Sequence, residues 1–512
     1  MPPAGGPIRA FLRWFAGAFA GMFLVVGAWS MATPLVAAPD EGTHAITAYA
    51  VAHGDIGDLH PVVPGAYAAL DVRQELGCVR NRWSVVAGCQ NWAAAAAAPS
   101  EQVFTQFGTY NPLYYAMVGW PSLFLPDQVA LYGMRLLSGA LFSLAAAAAI
   151  AIAATAYRSR KGMVGLVLAM TPVAWFLAGA INPNAIEIAT AALTWVGLTA
   201  LLGRELPRSQ RHLVTTATTI GIVLLTLNRL LSPLWLAVIL LTVAFATQGW
   251  RRLWTLLTRS HHFQLHAVVI AAACALAVAW DRVHPAVFTG SAHPASSFLD
   301  GVGLTLDQIF VGFPQTTLPQ SIDVLDWLDF PVFPAIAPFI AIWGALIGGA
   351  AVVARSRAAR LAPLLLTAFW IVFPSALAAF VWSNIGWQGR YGLPIAVGIP
   401  ILSVYLVAEY AEPLPAASAV VSRALRIAAP VALGVGILAF LFNYHRYAAG
   451  WGSQWTFAAV KWNPPLGPVP WFAALILGSI ALVMLVWRAT QSRSAAETVA
   501  SASAVAPLPS SV

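Results

Sequence analysis

The chain has 512 residues, of which 59% are hydrophobic and only 9% are charged. A soluble domain carries about a quarter charged residues, so most of this sequence must have lipid as its solvent. The chain has 27 Lys and Arg residues, nearly all of them arginine, and they fall in short clusters between apolar runs. This distribution orients a membrane protein and argues against a binding surface for nucleic acid.

The apolar runs predict an all-α polytopic membrane protein with about twelve transmembrane helices. The predicted spans lie at about residues 15–37, 129–156, 162–181, 185–203, 213–228, 233–248, 263–281, 333–353, 361–381, 393–411, 427–443 and 471–487. The first run is long enough to cross a bilayer, so we interpret it as a retained helix rather than a cleaved signal peptide. Residues 213–248 fit either two short spans or a re-entrant pair.

The basic residues predict the orientation of the spans. With the N-terminus in the cytoplasm, two thirds of the 27 Lys and Arg residues lie on the cytoplasmic side, as the positive-inside rule requires. Residues 1–14 are then a cytoplasmic N-terminus, residues 15–490 a single transmembrane domain, and residues 491–512 a disordered cytoplasmic tail. Three large loops lie outside the plasma membrane, at about residues 38–128, 281–333 and 444–470. Both termini are therefore expected in the cytoplasm, with the active face outside.

The first external loop has two further features. Residues 110–126 are apolar but short and aromatic, which predicts a helix lying at the outer membrane interface. Cys78 and Cys89 share this loop, and an oxidising compartment favours a disulfide between them, with two free cysteines as the alternative.

No metal site or cofactor is predicted, because the external histidines lack the spacing of metal ligands. We interpret these histidines as ordinary loop residues: His60, His284 and His293.

Two adjacent carboxylates follow the first span directly. Pro39 disfavours a continuing helix, and Asp40 is a suitable N-cap for a new helix over roughly residues 41–53. On that helix His44 would lie one turn from Glu41, within reach of it. A carboxylate in a first turn stays ionised and is suited to accept a proton from a hydroxyl group. The alternative is that both carboxylates simply cap the helix.

Gln388, Arg390 and Tyr391 lie just before the tenth predicted span. An arginine at this depth is costly unless it is paired or faces a polar cavity. Its guanidinium matches the geometry of a phosphate group, although an interfacial anchor between aromatic residues is an equal alternative.

Asn182 lies between two predicted spans, and Glu187 follows within the next one. A carboxylate inside a span is a candidate for function by default. Pairing with Arg229 or Arg390 for structural reasons is the alternative.

Five short motifs occur in order along the chain. They are Pro39-Asp40-Glu41-x-x-His44; Ala48-Tyr49 with Gly54; Tyr110-Asn111-Pro112-Leu113-Tyr114-Tyr115; Thr171-Pro172 with Asn182-Pro183-Asn184-Ala185; and Gln388-Gly389-Arg390-Tyr391-x-x-Pro394. Together they resemble an actinobacterial family of multi-spanning membrane proteins of unknown function. That family is similar in layout to the GT-C superfamily of membrane glycosyltransferases, which have many spans and an acidic residue just after the first helix.

The resemblance implies an inverting glycosyltransferase that moves a sugar from a polyprenyl-phosphate donor to a cell-envelope glycan acceptor. Asp40 or Glu41 would be the base, with His44 beside it, and Arg390 would contact the donor phosphate. The implied substrate-binding residues are Arg390, Gln388, Tyr391, Tyr110, Asn111, Asn182 and Glu187. The partners are membrane lipid, the lipid-linked sugar and the glycan, with no nucleic acid and no cofactor.

Two other functions fit the same sequence. Twelve spans with both ends inside suit a transporter or flippase for a lipid-linked envelope precursor, with Glu187 as the coupling residue. The long, polar first loop favours the enzyme. A non-catalytic assembly partner on the same scaffold is the third possibility.

Overall fold

The computed structural model describes residues 7–70, 75–287, 295–326, 330–381, 387–456 and 459–491. His293 and nearly all of the predicted C-terminal tail lie outside the described residues. In the described part, α-helices dominate, and the strands form two short antiparallel pairs. These pairs are β1 (Val62–Val63) with β2 (Glu101–Gln102), and β3 (Val324–Leu325) with β4 (Phe330–Pro331).

The helices of the described residues are numbered in chain order. They are α1 (Pro7–Ala32), α2 (Glu41–Ala52), α3 (Gly65–Ala68), α4 (Trp92–Ala97), α5 (Leu113–Gly119), α6 (Asp127–Ala156), α7 (Val164–Ala169), α8 (Pro172–Ala178), α9 (Pro183–Gly203), α10 (Arg208–Thr226), α11 (Ser232–Thr247), α12 (Trp250–Arg259), α13 (His261–Val283), α14 (Phe298–Asp307), α15 (Leu318–Ile322), α16 (Ile336–Val353), α17 (Arg357–Phe380), α18 (Leu393–Ala396), α19 (Gly398–Ala411), α20 (Pro415–Ala448) and α21 (Val469–Thr490).

The described part of the chain contains nine helices that are long and apolar enough to cross a membrane, or up to eleven if two bent pairs each form one span. The pairs are α7 with α8, bent by 80°, and α11 with α12, bent by 113°. Each predicted span overlaps one of these elements except 213–228, which falls on α10. This helix begins with the polar run Arg-Ser-Gln-Arg-His. The all-α polytopic prediction is confirmed, with nine to eleven supported spans instead of about twelve.

The two bends have local causes. Pro172 starts α8, and the Thr171 hydroxyl accepts a hydrogen bond from the Ala174 backbone N–H, so one helix must end and another begin there. α11 ends at Gln248, whose φ of 53° lies in the left-handed region and terminates the helix.

Helix α9 lies at the centre of the bundle, because the whole apolar stretch of this helix is buried. It packs against α6, α10, α11 and α19. α1 packs between α6 and α21 at one side. In contrast, most apolar side chains of α13 and α16 are exposed or only half-buried. Exposed apolar helices around a buried centre suit a bundle whose surroundings are lipid.

The first long loop (residues 33–126) forms a layer with its own hydrophobic cluster, which includes Ile46, Tyr67, Phe107 and Tyr115. α2 and α5 pack against each other within it. The segment predicted to be an interfacial helix forms α5 and a following 3₁₀ turn, Trp120–Leu123.

Arg446, near the end of α20, contacts two loops. Cys78 and Cys89 are linked by a disulfide, and the carbonyl oxygens of Val79, Arg82 and Val85 within that loop accept hydrogen bonds from the Arg446 guanidinium. The same guanidinium lies 2.7 Å from the carboxylate of Asp326, which precedes β4. We call this set the loop junction. It ties the first long loop and the segment before α16 to the end of α20.

Candidate active site

Asp40 lies in the turn between α1 and α2 with an uncommon backbone conformation. It occupies the N-cap position of α2, as predicted, but its φ of 61° lies in the left-handed region. Aspartate tolerates this region better than most residues, although it still costs free energy. Its side chain makes no capping hydrogen bond, so the predicted side-chain cap is wrong. The carboxylate binds Arg390 instead.

The Asp40 carboxylate and the Arg390 guanidinium form an ion pair across 350 positions of sequence. The Arg390 side chain is 1% exposed, whereas that of Asp40 is 24% exposed. Gln388 accepts a hydrogen bond from Arg390 Nε at 2.6 Å, and the Pro39 carbonyl accepts one from Nη1 at 3.3 Å. The guanidinium is therefore oriented by the protein, and the carboxylate is the member of the pair that a ligand can reach.

The ring of Tyr391 contacts two guanidinium groups. Arg390 Cζ lies 5.2 Å from the ring centroid and Arg229 Cζ lies 4.8 Å from it. Both contacts are within the range of cation–π attraction. Arg229 comes from the connection between α10 and α11, so a second cation joins the group around Asp40.

Glu187 pairs with Arg229, one of the two partners considered for it. Nη1 of Arg229 lies 3.4 Å from Glu187 Oε2 and also donates to the side-chain oxygen of Asn184. The Ser232 hydroxyl donates to Glu187 Oε1 at 2.7 Å. Because Glu187 is only 1% exposed, it acts as a counter-ion that holds Arg229 in place.

Asn182 supports the turn that carries Asp40. Its Nδ2 donates to the Pro39 carbonyl at 3.0 Å, and its Oδ1 accepts from the Asn184 backbone N–H at 3.0 Å. The second bond caps α9, and the first fixes the chain just before Asp40. Asn182 is fully buried, so it supports the turn from the interior of the protein.

Glu41 faces away from this group, into a closed network with Arg135 of α6. Both carboxylate oxygens accept hydrogen bonds from Arg135 at 2.6 Å, and they also accept the backbone N–H groups of Val36 and Ile181. The remaining N–H groups of Arg135 donate hydrogen bonds to the carbonyl oxygens at the end of α1. Glu41 is 2% exposed and Arg135 is 0% exposed. The two adjacent carboxylates therefore have different environments, and only that of Asp40 is accessible.

His44 lies one helical turn after Asp40, and its backbone N–H donates to the Asp40 carbonyl at 3.0 Å. Its Nδ1 is 2.9 Å from the Tyr115 hydroxyl, and its ring stacks on Phe107 at a centroid distance of 3.9 Å. The expected contact with Glu41 is wrong, because both oxygens of that carboxylate are bonded to Arg135.

The electrostatics of the turn keep Asp40 charged and His44 neutral. Burial raises the pKa of Asp40, but the charge of Arg390 and its hydrogen bond, with contributions from His44 and Arg229, together lower it by more, so the pKa lies below its usual 3.8. Burial lowers the pKa of His44 well below 6.5, and Asp40 opposes this effect only in part. At neutral pH the site therefore contains one carboxylate and an uncharged imidazole.

Tyr110 and Asn111 lie beside Arg229. Burial raises the pKa of Tyr110, and the positive charge of Arg229 opposes this shift. Asn111 Oδ1 accepts the Leu113 backbone N–H at 3.1 Å, at the start of α5. Both residues line a small cleft together with Arg229. The candidate residues from the first long loop and from the bundle therefore meet around Asp40, Arg390 and Arg229.

Arg135 was missed in the sequence, although it carried a signal. It lies within a predicted span, where an ionisable side chain indicates a partner or a function by default. Tyr115, the partner of His44, had no such signal. In the described residues, no three His, Cys, Asp or Glu side chains converge in a way that could hold a metal ion.

Residues 23–399 match the protein family described as "Predicted membrane protein (DUF2142)". No curated protein matches the sequence. Two crystal structures of ArnT from Cupriavidus metallidurans are similar to this chain, one bound to undecaprenyl phosphate and one in the apo state. Their sequence identities are 14% and 13%, their TM-scores are 0.44 and 0.45, and each match covers 92% of this chain and 76% of that chain. Since the family match covers well over half of the sequence and includes both Asp40 and Arg390, the chain belongs to the DUF2142 family of predicted membrane proteins.

Proposed function

We propose that this protein is a membrane glycosyltransferase that moves a sugar from a polyprenyl-phosphate donor to an envelope glycan on the outer face of the membrane. One observation carries the proposal: Asp40 is an accessible carboxylate held on a buried arginine, just after the first span. A lipid-linked donor lies in the bilayer, so a base at this depth meets both the donor and a hydroxyl acceptor from outside. We further propose that both termini lie in the cytoplasm.

In the proposed reaction Asp40 removes the proton from the acceptor hydroxyl. The hydroxyl oxygen forms a bond to the anomeric carbon of the sugar, and the bond from that carbon to the phosphate oxygen breaks. The electron pair of the broken bond leaves with the phosphate. Attack and departure on opposite sides of the carbon invert its configuration.

The two arginines would stabilise the charge that develops on the leaving phosphate. Arg390 has a guanidinium oriented by Gln388 and Pro39, and Arg229 is held by Glu187. Fixed donors need no reorganisation during the reaction, which is the condition for effective electrostatic stabilisation.

Binding of the donor would also activate the base. In the free protein, the Arg390 charge holds the pKa of Asp40 below its ordinary value, which makes the carboxylate a weak base. A phosphate bound to Arg390 would offset that charge and raise the pKa of Asp40. The base would then become effective only when a donor is present.

Glu41 and His44 have supporting roles in this scheme. Glu41 is bonded on both oxygens, so it positions the turn through Arg135. His44 is neutral and bonded to Tyr115, which fixes the first turn of α2.

The test is the Asp40→Asn variant, assayed for sugar transfer by purified protein in lipid with polyprenyl-phosphate hexose and pentose donors. We expect donor binding to remain and transfer to fall by about 10²–10⁴-fold, the usual contribution of a general base. The matched control is Asp55→Asn, which changes an exposed carboxylate of the same loop. If the wild-type protein transfers sugar and Asp40→Asn keeps the same rate, Asp40 is not the base. If the wild-type protein uses no donor, the enzyme proposal fails, and transport of the lipid-linked sugar becomes the hypothesis to test.

A further inference from the structure

Helix α12 turns away from the helix before it, on the face of the bundle opposite Asp40. α11 begins at Ser232, whose hydroxyl binds Glu187 beside the candidate active site, and it extends for about 24 Å. α12 then runs at 113° to α11. A Cβ atom at Gly249 would lie 2.7 Å from the Leu202 side chain, so the bend packs tightly against the end of α9. With α11 as a membrane span, α12 lies close to the plane of the membrane.

The sequence of α12 divides into two faces. Each residue advances the helix by about 100°, which places its apolar side chains on one half of the surface and its polar side chains on the other. Trp250 and Trp254 of the apolar half are 48% and 69% exposed. Arginine on one face and tryptophan on the other are typical of a helix that lies in the membrane interface. A re-entrant helix would place the exposed Arg251 and Arg259 in hydrocarbon, at a high cost in free energy.

Further arginines lie beside α12, at the end of α9 and the start of α10. Burial lowers the pKa of Arg252. The carboxylate of Glu205 opposes this shift, and the charges of Arg211 and Arg204 add to it. The ends of α9, α10 and α12 therefore share one positively charged region.

The start of α13 belongs to the same region. The ring centroids of His212 and His262 are 4.1 Å apart. Burial lowers the pKa of His212, and the charges of His262, Arg208 and Arg211 lower it further. Cations that disfavour one another's charge in this way would be stabilised by an anion.

The protein itself supplies little negative charge here. Glu205 is the only acidic residue in the segments 204–212 and 250–262, and Glu409 acts on Arg204 at the edge of the region. Among the residues that the structure describes, Arg208, Arg211 and the arginines of α12 form no ion pair. No side chain caps the N-terminus of α10, so the positive end of its helix dipole adds to the charge.

The two faces of α12 together select the anion. The exposed tryptophans suit the boundary between headgroups and acyl chains, and Arg251 lies between them in the sequence, at the depth of the lipid phosphates. A guanidinium matches the geometry of a phosphate group. A free phosphate ion would leave the two tryptophans without a partner, whereas a phospholipid satisfies both faces.

We propose that α12 and the first turn of α10 bind the headgroups of anionic phospholipids on the face opposite Asp40. We call this surface the basic interface; its members are Arg208, Arg211, Arg251, Arg252 and Arg259. In the proposed orientation it meets the cytoplasmic leaflet, whose surface carries negative charge. The inference does not depend on sugar transfer, since the candidate active site lies at the other end of α11.

The first test measures lipid binding to the full chain in an uncharged detergent. Phosphatidylglycerol or phosphatidylcholine is titrated in, and the bound lipid is counted by native mass spectrometry. Without a charged bilayer, only a site on the protein retains the anionic lipid in preference. Arg208→Gln combined with Arg251→Gln should weaken binding of phosphatidylglycerol about 25-fold, because each arginine near an anionic lipid contributes about fivefold. Binding of phosphatidylcholine should not change.

The matched control is Arg355→Gln combined with Arg357→Gln. It removes two exposed arginines between α16 and α17, outside the basic interface, and should leave both affinities unchanged. Equal affinity of the wild-type protein for the two lipids would overturn the proposal. Equal weakening by the two pairs of substitutions would also overturn it, because it would reduce the effect to net charge.

The second test locates α12 relative to the bilayer. Nitroxide labels are placed by Trp254→Cys or Thr255→Cys, each with Cys274→Ser to remove the free cysteine, in nanodiscs that contain phosphatidylglycerol. The label at residue 254 should be more accessible to oxygen, and that at residue 255 to a water-soluble nickel complex. Access of nickel to both labels would place α12 in water. Exclusion of both reagents from residue 254 would mean that another protein surface covers it. Either result would overturn the proposal.

Discussion

The neighbouring residues Asp40 and Glu41 both carry a carboxylate, but the two side chains have different roles. Glu41 accepts four hydrogen bonds in a closed network, and Asp40 makes one ion pair at the edge of the accessible space. Removing one member of a buried ion pair leaves the other charge unpaired, which costs about 3–5 kcal/mol. Glu41→Gln should therefore lower the stability by about this amount, measured by thermal unfolding in detergent. Asp40→Asn should cost less, because Asp40 is 24% exposed and water can replace part of its interaction with Arg390.

A double variant provides the control for this measurement of thermal unfolding. The double change Glu41→Gln with Arg135→Gln removes both charges and should recover part of the loss, because no buried charge is left uncompensated. A Glu41→Gln protein as stable as the wild type would mean that the network around Arg135 does not hold the turn.

Arg390 should not be replaceable by lysine. Its guanidinium donates in three directions, to Gln388, Pro39 and Asp40, and an ammonium on a flexible stem cannot reproduce that fixed fork. We expect Arg390→Lys to reduce sugar transfer by more than about tenfold and to weaken binding of polyprenyl phosphate, although the charge is kept. Arg282→Lys, an exposed arginine at the end of α13, is the control. Equal activity of Arg390→Lys and the wild type would reduce Arg390 to a point charge.

The sequence was sufficient to locate these residues but not to tell them apart. Pro39 and the end of the first apolar run mark where α2 starts, so both carboxylates could be placed at a helix start. Their partners lie 94 positions away in Arg135 and 350 positions away in Arg390, and no local pattern connects them. The left-handed conformation of Asp40, which releases its side chain from the cap, also follows from tertiary packing and not from its own neighbours.

At the scale of elements, α2 and α5 are joined by the bond between His44 and Tyr115, and the burial of His44 there should make stability depend on pH. The pKa of His44 in the folded protein lies well below the unfolded value of 6.5, so between these values the unfolded chain binds the extra proton. Stability is then fully present above pH 6.5 and decreases as the pH falls below it, by at most about 1.4 kcal/mol per pH unit.

The pH effect can be assigned by substitution. In His44→Gln, the fall in melting temperature between pH 7.5 and 5.5 should be smaller than in the wild type. Asp40 does not interfere in this window, because its pKa is lowered from 3.8 and its contribution is lost only at more acidic pH. An unchanged pH dependence in His44→Gln would place the titrating group elsewhere.

The boundary at Pro183 was predictable, because this proline marks the start of α9. The boundary at Pro172 was not predicted, because the predicted span 162–181 runs through the break between α7 and α8. The predicted span 233–248 ends where α11 ends, at the left-handed Gln248. The sequence did not predict the sharp bend into α12 that follows. For the short helices of the first long loop, the sequence predicted only approximate positions. These helices are stabilised more by packing against one another than by their own helix propensity.

At the scale of the whole molecule, the loop junction joins the first long loop and the segment before α16 to the end of α20. Its carbonyl acceptors lie inside the loop closed by Cys78 and Cys89, so opening the disulfide should release Arg446 as well as the loop. Cys78→Ser should lower stability by about 2–4 kcal/mol. Trypsin added to right-side-out vesicles should then cleave after the exposed Arg82 more rapidly than in the wild type.

Cys274→Ser is the matched control, since Cys274 is a free cysteine. Cleavage after Arg82 only in inside-out vesicles would contradict the proposed orientation. Equal cleavage rates in Cys78→Ser and the wild type would show that the junction does not depend on the disulfide.

The long-range pairing of Asp40 with Arg390 has a consequence for how the protein is made. The first helix and its carboxylate leave the ribosome some 350 residues before the arginine that completes the ion pair, and Arg446 follows Val85 by 361 residues. In the proposed orientation, the first loop would be translocated during this interval without its partners, and contacts of such sequence separation form late and slowly. The site would therefore not be assembled until synthesis of the chain is almost finished. A chain truncated before residue 390 would insert its early helices but would have no assembled site, so incomplete products could not act on the envelope.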